Sequence, residues 1–206
     1  MKFKPGLILA VLFLLSLLSY SVFTSSSEAR LSNKTVKLIA YYEGWSPCVL
    51  DDPAGNASIG YGHLIHLGHA TKRDRKRWGC ITKREGRALL KKELRYTEQE
   101  IHDRIDVRLT EPMWRALISY TYNLGSGYLD RVVGKHTTTN VAKRINKGYY
   151  LQAAKEMRIY DGARVGKKIV VFPGLTKRRN QEYRLMVRGY YELMDERYPS
   201  GGVRPY

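Results

Sequence analysis

The chain contains 206 residues and carries 36 Lys+Arg against 19 Asp+Glu, a formal net charge of +17 at pH 7. With 43% hydrophobic and 11% aromatic residues it is too apolar to be a disordered basic tail, and its length suits one globular domain with additional segments. The charge indicates an acidic partner, which is nucleic acid, anionic lipid or an anionic cell-wall polymer. Two cysteines, Cys48 and Cys80, exclude a four-thiolate zinc site and allow at most one internal disulfide.

The N-terminus is a candidate export segment. A short basic stretch at residues 1–4 precedes an almost purely apolar run at residues 6–23, long enough for about 27 Å of helix, close to the thickness of a bilayer core. Residues 1–27 therefore predict either a cleaved signal peptide or a retained membrane anchor, with the rest of the chain exported to the inner membrane surface, the periplasm or the cell wall. Export disfavours a nucleic-acid partner. It also places Cys48 and Cys80 where a disulfide can form, two free thiols being the alternative.

The next segments predict a linker, a helix and a small β-rich lobe. Residues 28–35 read as a polar linker. Apolar residues from Val36 to Tyr42 recur at helical spacing after possible caps at Ser32 or Asn33, and this spacing predicts a first helix. Residues 44–68 are rich in Gly, Pro, Asp and Asn with short apolar runs, which is typical of turns and hairpins.

The pattern becomes helical after Cys80. Thr82 and Glu85 form a capping box at the start of one helix, and another is predicted from Thr110 to Gly125, with so little polar surface that it indicates a buried central helix. Further helices are predicted at residues 138–146, 149–157 and about 176–197, followed by a C-terminal tail at residues 198–206. The fold class is therefore α+β, with a small β-hairpin lobe and a larger helical lobe within a domain at residues 36–197.

Two carboxylates are candidates for chemistry. An exported basic α+β domain suggests an enzyme that acts on an anionic polysaccharide, and glycoside hydrolysis needs one protonated and one ionised carboxyl. Glu43 lies at the predicted end of the first helix beside Tyr42 and Trp45, where the helix dipole and the apolar neighbours favour its protonated form. Asp52 lies in a turn where solvent favours ionisation, and Asp51 is an equal alternative by chemistry.

Four segments share their order with a known family. Residues 43–63 contain Glu, eight residues, Asp, five residues, Ser and then Gly-Tyr-Gly-His. Residues 79–90 contain Gly-Cys-Ile-Thr and Ala-Leu-Leu, residues 119–127 end in Tyr-Asn-Leu-Gly-Ser-Gly, and residues 174–182 read Gly-Leu-Thr-Lys-Arg-Arg-Asn-Gln-Glu. Together they resemble the phage-type lysozymes, glycoside hydrolase family 24.

The resemblance implies a lysozyme-like fold with a cleft between the lobes, a monomer, no cofactor and an inverting reaction. It implies that Glu43 is the general acid, that Asp52 positions water or stabilises the oxocarbenium-like state, and that the Ser58 hydroxyl helps to hold that water. The family has Thr where this chain has Ser58, and loss of the methyl group that restricts the rotamer predicts reduced activity. We also expect three residues to bind substrate: Tyr61, Asn123 and Gly125.

The histidines at 63, 66 and 69 recur every third residue, but a strand and turn would separate them, so no metal site is predicted. His63 is expected to be structural and hydrogen-bonded to an acid in the β lobe. Arg178 and Arg179 either pair with Glu43 across the cleft or are solvated. The basic clusters at residues 72–77 and 177–179 predict solvated faces that also attract anionic wall polymers.

These features predict an exported endolysin that hydrolyses the β-1,4 bond between N-acetylmuramic acid and N-acetylglucosamine in peptidoglycan and so lyses bacteria. The main alternative is a catalytically weak, membrane-tethered module that binds peptidoglycan, for which Ser58 is the sequence support. A membrane-disrupting basic protein and a hydrolase of chitin-like polymers are further alternatives.

Overall fold

The computed structural model describes residues 31–52, 55–130, 132–133, 137–138, 140–165 and 168–197. The predicted export segment at residues 1–27, the start of the predicted linker and the predicted tail at residues 198–206 lie outside these ranges. Among the helices that are described, none is both long enough and apolar enough to cross a bilayer.

Helix α1 (Asn33–Glu43) begins before the predicted position, so the end of the predicted linker is helical. Ser32 caps it by accepting a hydrogen bond from the Thr35 N–H at 3.2 Å, which confirms one of the two candidate caps. The helix ends at Gly44, whose φ of 75° lies in the left-handed region that favours glycine. Glu43 is therefore held on the last turn, at the entrance to the β lobe.

The predicted β-rich lobe is confirmed as a three-stranded antiparallel sheet. Strands β1 (Ser46–Asp51), β2 (Ala57–Gly60) and β3 (His63–His66) pair in chain order, and the β1–β2 turn carries Asp52. A disulfide between Cys48 and Cys80 ties β1 to the segment before the long helix that follows. The structure thus decides the pairing that the sequence left open.

A short helix that the sequence did not predict follows the sheet. Helix α2 (Lys72–Trp78) has no buried residue, so it lacks the apolar periodicity by which helices are recognised, and a Thr71–Asp74 capping box begins it. Helix α3 (Lys83–His102) begins with the predicted capping box between Thr82 and Glu85.

Helix α4 (Glu111–Leu124) confirms the predicted buried central helix, and it ends at Gly125 as expected. After it come short elements: α5 (Gly127–Asp130), β4 (Val132–Val133), β5 (Thr137–Thr138), α6 (Val141–Asn146), α7 (Tyr150–Met157), β6 (Gly162–Val165) and β7 (Lys168–Val171). The predicted helix at residues 138–146 is therefore shorter than expected. The β6–β7 hairpin was not predicted.

The last helix, α8 (Pro173–Arg197), begins three residues before the predicted start, with proline in the first turn where its missing N–H is tolerated. It packs closely on α4, since a methyl group at Gly189 would lie 2.6 Å from Met113 Cγ. The Thr110 hydroxyl also donates to the Gly189 carbonyl at 3.2 Å. The late part of α8 thus lies against the start of α4. The start of α8 lies next to the middle of α4, where Arg178 donates to the Ser119 carbonyl at 2.9 Å. The α+β fold class is thereby confirmed.

Candidate active site

The three residues predicted to be catalytic share one cavity. Glu43 at the end of α1, Asp52 in the β1–β2 turn and Ser58 on β2 all line a space of about 480 Å³. The sheet supplies most of the remaining wall, including Leu50 and Gly60, and Trp45 just before β1 adds to it. The structure therefore brings these residues together from two elements and the turn between two strands.

Glu43 is held by one of its two carboxylate oxygens. Arg178 Nη1 donates to Glu43 Oε1 at 2.8 Å, and the glutamate side chain is 23% exposed. The other oxygen, Oε2, faces Gly62, where a methyl group would lie 4.0 Å away. The chemical consequence is that Oε1 is fixed while Oε2 lies on the cavity side beside β3.

The geometry separates Asp51 from Asp52. Asp51 Oδ1 accepts from the Ala70 N–H at 2.6 Å and Oδ2 lies 3.1 Å from His69 Nδ1. These contacts, the backbone N–H first, lower the pKa of Asp51. Asp52 Oδ1 instead accepts from the Asn56 N–H at 2.9 Å, which fixes it within the turn at the cavity wall. Of the two carboxylates, Asp52 is the one that lines the cavity.

The guanidinium of Arg178 is buried behind Glu43. Its Nη2 donates to the Ser119 carbonyl at 2.9 Å and its Nε donates to the Ser119 hydroxyl at 3.2 Å. That hydroxyl donates to Glu182 Oε1 at 2.6 Å, so α4 and α8 are joined around a single buried cluster. The sequence left two alternatives for Arg178, pairing with Glu43 or solvation, and the structure shows that it pairs with Glu43.

Arg179 has a different partner from Arg178. It pairs with Glu182 and with the Asn123 side-chain oxygen, and it is 1% exposed. Both predictions are therefore wrong for Arg179, which neither pairs with Glu43 nor is solvated. Burial lowers the pKa of Arg179 and raises the pKa of Glu182, while the attraction between the two acts in the opposite direction. Glu182 stands in the family-like last segment, but the sequence alone assigned it no role.

The three residues expected to bind substrate do not line the cavity. Tyr61 is 8% exposed and its ring packs 4.8 Å from that of Trp45, so it forms the wall of the lobe and presents no open face. Asn123 is engaged by Arg179, and Gly125 ends α4 with a φ of 86°. Asn123 thus lies at the junction of α4 and α8, and Tyr61 lies in the β lobe.

His63 is structural, but its acid lies elsewhere than predicted. His63 Nδ1 lies 2.6 Å from Glu93 Oε1, and Glu93 belongs to α3 in the helical lobe, so the expected partner in the β lobe is wrong. The Tyr122 hydroxyl donates to the other oxygen of Glu93 at 2.8 Å. No local sequence signal connects these three residues, which come from β3, α3 and α4.

The other two histidines contact different acids: His66 Nε2 lies 2.9 Å from Asp74 Oδ2, and His69 contacts Asp51 as described. Within the described ranges, no group of three or more His, Cys, Asp or Glu side chains is placed to hold a metal ion.

Comparisons with known proteins agree on one family. The phage lysozyme family model matches residues 40–182. An endolysin of Acyrthosiphon pisum secondary endosymbiont phage 1 is 29% identical over 152 residues, which cover 74% of this chain and 94% of that protein. Among solved structures, an endolysin from Escherichia coli O157:H7 phage FAHEc1 is similar with a TM-score of 0.63 and 27% identity, covering 76% of this chain and 92% of that one. The muramidase domain of SpmX from Asticaccaulis excentricus has a TM-score of 0.62 and 25% identity, covering 76% and 97%.

Proposed function

Because this chain belongs to the phage lysozyme family, we propose that it is an endolysin that degrades peptidoglycan by hydrolysing the β-1,4 bond between N-acetylmuramic acid and N-acetylglucosamine. The observation that carries the proposal is the cavity that Glu43, Asp52 and Ser58 line together. Two carboxyl groups at one cavity are the minimum that glycoside hydrolysis requires.

In the proposed reaction, Glu43 holds a proton on Oε2 and gives it to the glycosidic oxygen as the bond to the sugar C1 breaks. Asp52 takes a proton from a water molecule that Ser58 helps to hold, and the water oxygen bonds to C1 from the opposite face. The products are an alcohol on the leaving sugar and a new reducing end of inverted configuration. Proton exchange with solvent then restores Glu43 and Asp52.

Arg178 supports the acid in two ways. Its hydrogen bond to Glu43 Oε1 fixes the carboxyl, so that the proton resides on the oxygen next to the cavity. As the proton leaves, the nearby guanidinium stabilises the carboxylate that forms, which favours transfer to the leaving group. The charge of Arg178 is itself balanced by Glu182, 3.3 Å from its Nε.

We further propose that the domain acts at the cell wall after export, with residues 1–27 as a signal peptide or anchor. The apolar run in this segment and the family relationship support export. Export is tested by fractionating expressing cells and detecting the protein with an antibody against the domain at residues 36–197. Soluble protein confined to the cytoplasm would contradict the proposal.

The decisive test of function compares hydrolysis of purified peptidoglycan by the full-length chain and by its Glu43→Gln variant. Hydrolysis is measured as the loss of turbidity and as the appearance of new muramic acid reducing ends. The variant should lose at least about 100-fold, since general acid catalysis contributes roughly 10²–10⁴-fold. Glu100→Gln is the matched control, because Glu100 is an exposed carboxylate near the end of α3 that accepts from the Ser126 hydroxyl at 2.7 Å and does not line the cavity. Survival of more than about a tenth of the activity in Glu43→Gln would overturn the assignment. Retention on the wall without cleavage by the parent would favour the binding module instead.

A further inference from the structure

Nearly half of the net charge of the chain is concentrated in one segment. Between residues 72 and 95 there are eleven Lys and Arg against three Asp and Glu, a net charge of +8 out of +17. All eleven cationic side chains are exposed on α2 and α3. We call them the α2–α3 cationic surface: Lys72, Arg73, Arg75, Lys76, Arg77, Lys83, Arg84, Arg87, Lys91, Lys92 and Arg95.

These cations differ from most of the described arginines elsewhere, which pair with an acid. Within the described part of the chain, none of the eleven forms an ion pair, whereas seven other arginines do, at positions 104, 108, 115, 144, 178, 179 and 188. The three acids of the segment are engaged by other groups. Asp74 binds His66 and Thr71, Glu85 caps α3, and Glu93 joins His63 to Tyr122.

The cations on α3 are arranged as a regular row. Lys83, Arg87, Lys91 and Arg95 recur every fourth residue, so they follow one another along one side of the helix over about 18 Å. Like charges at this spacing destabilise an isolated helix. A row of this kind is complementary to a linear polyanion that lies along the helix axis, and such a partner would relieve the repulsion.

Helix α2 adds to the same surface because the chain between the two helices is anchored. Cys80 lies between them in sequence, and its disulfide with Cys48 fixes the segment to β1. A shared apolar depression of about 470 Å³ is lined by Trp78 at the end of α2, by Ile81 just before α3, and by Ala88 and Leu89 in α3. Neither helix contributes a residue to the catalytic cavity.

We propose that the α2–α3 cationic surface is a second contact site for the wall, separate from the catalytic cavity, and that it binds the carboxylates of peptidoglycan stem peptides as a polyanion. The inference rests on the proposed function, which names the polymer. Six of the eleven cations are arginines, whose planar fork suits a carboxylate. The surface holds the enzyme on its substrate by an attraction that salt weakens.

Binding is measured with the full-length Glu43→Gln chain, so that the wall is not digested during the assay. The probe is purified sacculi freed of phosphate polymers, in one batch unmodified and in another with the carboxyls converted to neutral amides. Arg87→Glu with Lys91→Glu alters the row on α3. Lys143→Glu with Lys155→Glu is the matched control, because both lysines are exposed, lie on α6 and α7, and change the net charge equally.

At about 0.1 M salt, where charges about 10 Å apart still interact, the Arg87/Lys91 variant should bind unmodified sacculi about tenfold more weakly, and the control less than about twofold. On amidated sacculi the Glu43→Gln chain and both charge variants made in it should bind equally weakly. Equal losses in the two variants would overturn the inference in favour of a general effect of net charge. Undiminished binding to amidated sacculi would overturn it as well. Either result leaves hydrolysis by the parent, and so the proposed function, intact.

Discussion

Asp51 and Asp52 are adjacent in the chain, but their carboxylates contact different parts of the molecule. Asp51 is bound by the Ala70 N–H and by His69, which anchors the end of β1 to the segment before α2. Asp52 is bound by Asn56 across the β1–β2 turn and lines the cavity. One residue thus holds the turn in place and the next presents a carboxylate to the site.

Removing each charge separately should therefore have different effects. Asp52→Asn should lose at least about 100-fold in kcat with little change in Tm, since it removes a group that acts on water. Asp51→Asn should lower Tm while retaining most of kcat, because it weakens an anchor outside the cavity. Reducing-end assays and thermal melts on both variants measure this, and the reverse pattern would exchange the two roles.

Ser58 tests whether a hydroxyl is sufficient at its position. Ser58 is 6% exposed in the cavity wall, and Ser58→Ala should lower kcat about tenfold, the value of roughly one hydrogen bond. Ser58→Thr should raise kcat by no more than about threefold, because the hydroxyl is already present and the added methyl group only restricts its rotamer. A gain of more than about tenfold with threonine would instead indicate that the parent is a weak enzyme.

Arg178 should contribute strongly to the free energy of unfolding. Arg178→Met leaves Glu43 and the buried Glu182 without this partner, and breaking a buried ion pair costs about 3–5 kcal/mol. Arg188→Met on the same helix is the control, because Arg188 pairs with Glu192 in solvent and an exposed pair contributes about 0–1 kcal/mol. Urea unfolding of both variants gives the comparison. Equal losses would mean that the buried cluster contributes no more than a surface pair.

The His66–Asp74 contact predicts a pH-dependent contribution to stability. The hydrogen bond to Asp74, and then that to the Leu67 carbonyl, raise the pKa of His66. Protonated His66 therefore stabilises the fold fully below the unfolded pKa of about 6.5, and this contribution is lost as pH rises through the higher folded pKa. The Tm difference between the parent and His66→Gln should be largest below about pH 6.5 and shrink as the pH rises above it. In an Asp74→Asn background the same substitution should have a smaller pH dependence, because only the hydrogen bond to the Leu67 carbonyl then raises the pKa of His66.

The disulfide is expected to stabilise the β lobe. Cys48 and Cys80 are 32 residues apart, and a closed loop of this length contributes about 3–4 kcal/mol. Replacing both cysteines by serine should lower Tm by roughly 10 °C. Since the chain has two cysteines, dithiothreitol should shift the parent by the same amount and leave the double variant unchanged. Unaltered melting of the reduced parent would contradict the prediction.

The sequence alone determined the features that depend on neighbouring residues. The capping box at Thr82, the end of α4 at Gly125 and the buried character of α4 follow from short-range patterns. Short-range structure also explains the spacing of the three candidate catalytic residues, since one helix end and one hairpin position Glu43, Asp52 and Ser58. Helix α2 was missed because it buries no side chain and so lacks an apolar period.

Only the tertiary structure decided which polar groups are buried and which of two neighbours enters the site. Arg178 stands in a basic run that suggests a solvated face, yet it is buried, because Glu43 lies 135 residues away in the chain and Ser119 lies 59 residues away. A charge is buried only where partners compensate for lost water, and partners from α1 and α4 meet α8 only after packing. Asp51 likewise has partners that are distant in the chain, Ala70 and His69, which hold its carboxylate outside the cavity, whereas Asp52 lines the cavity.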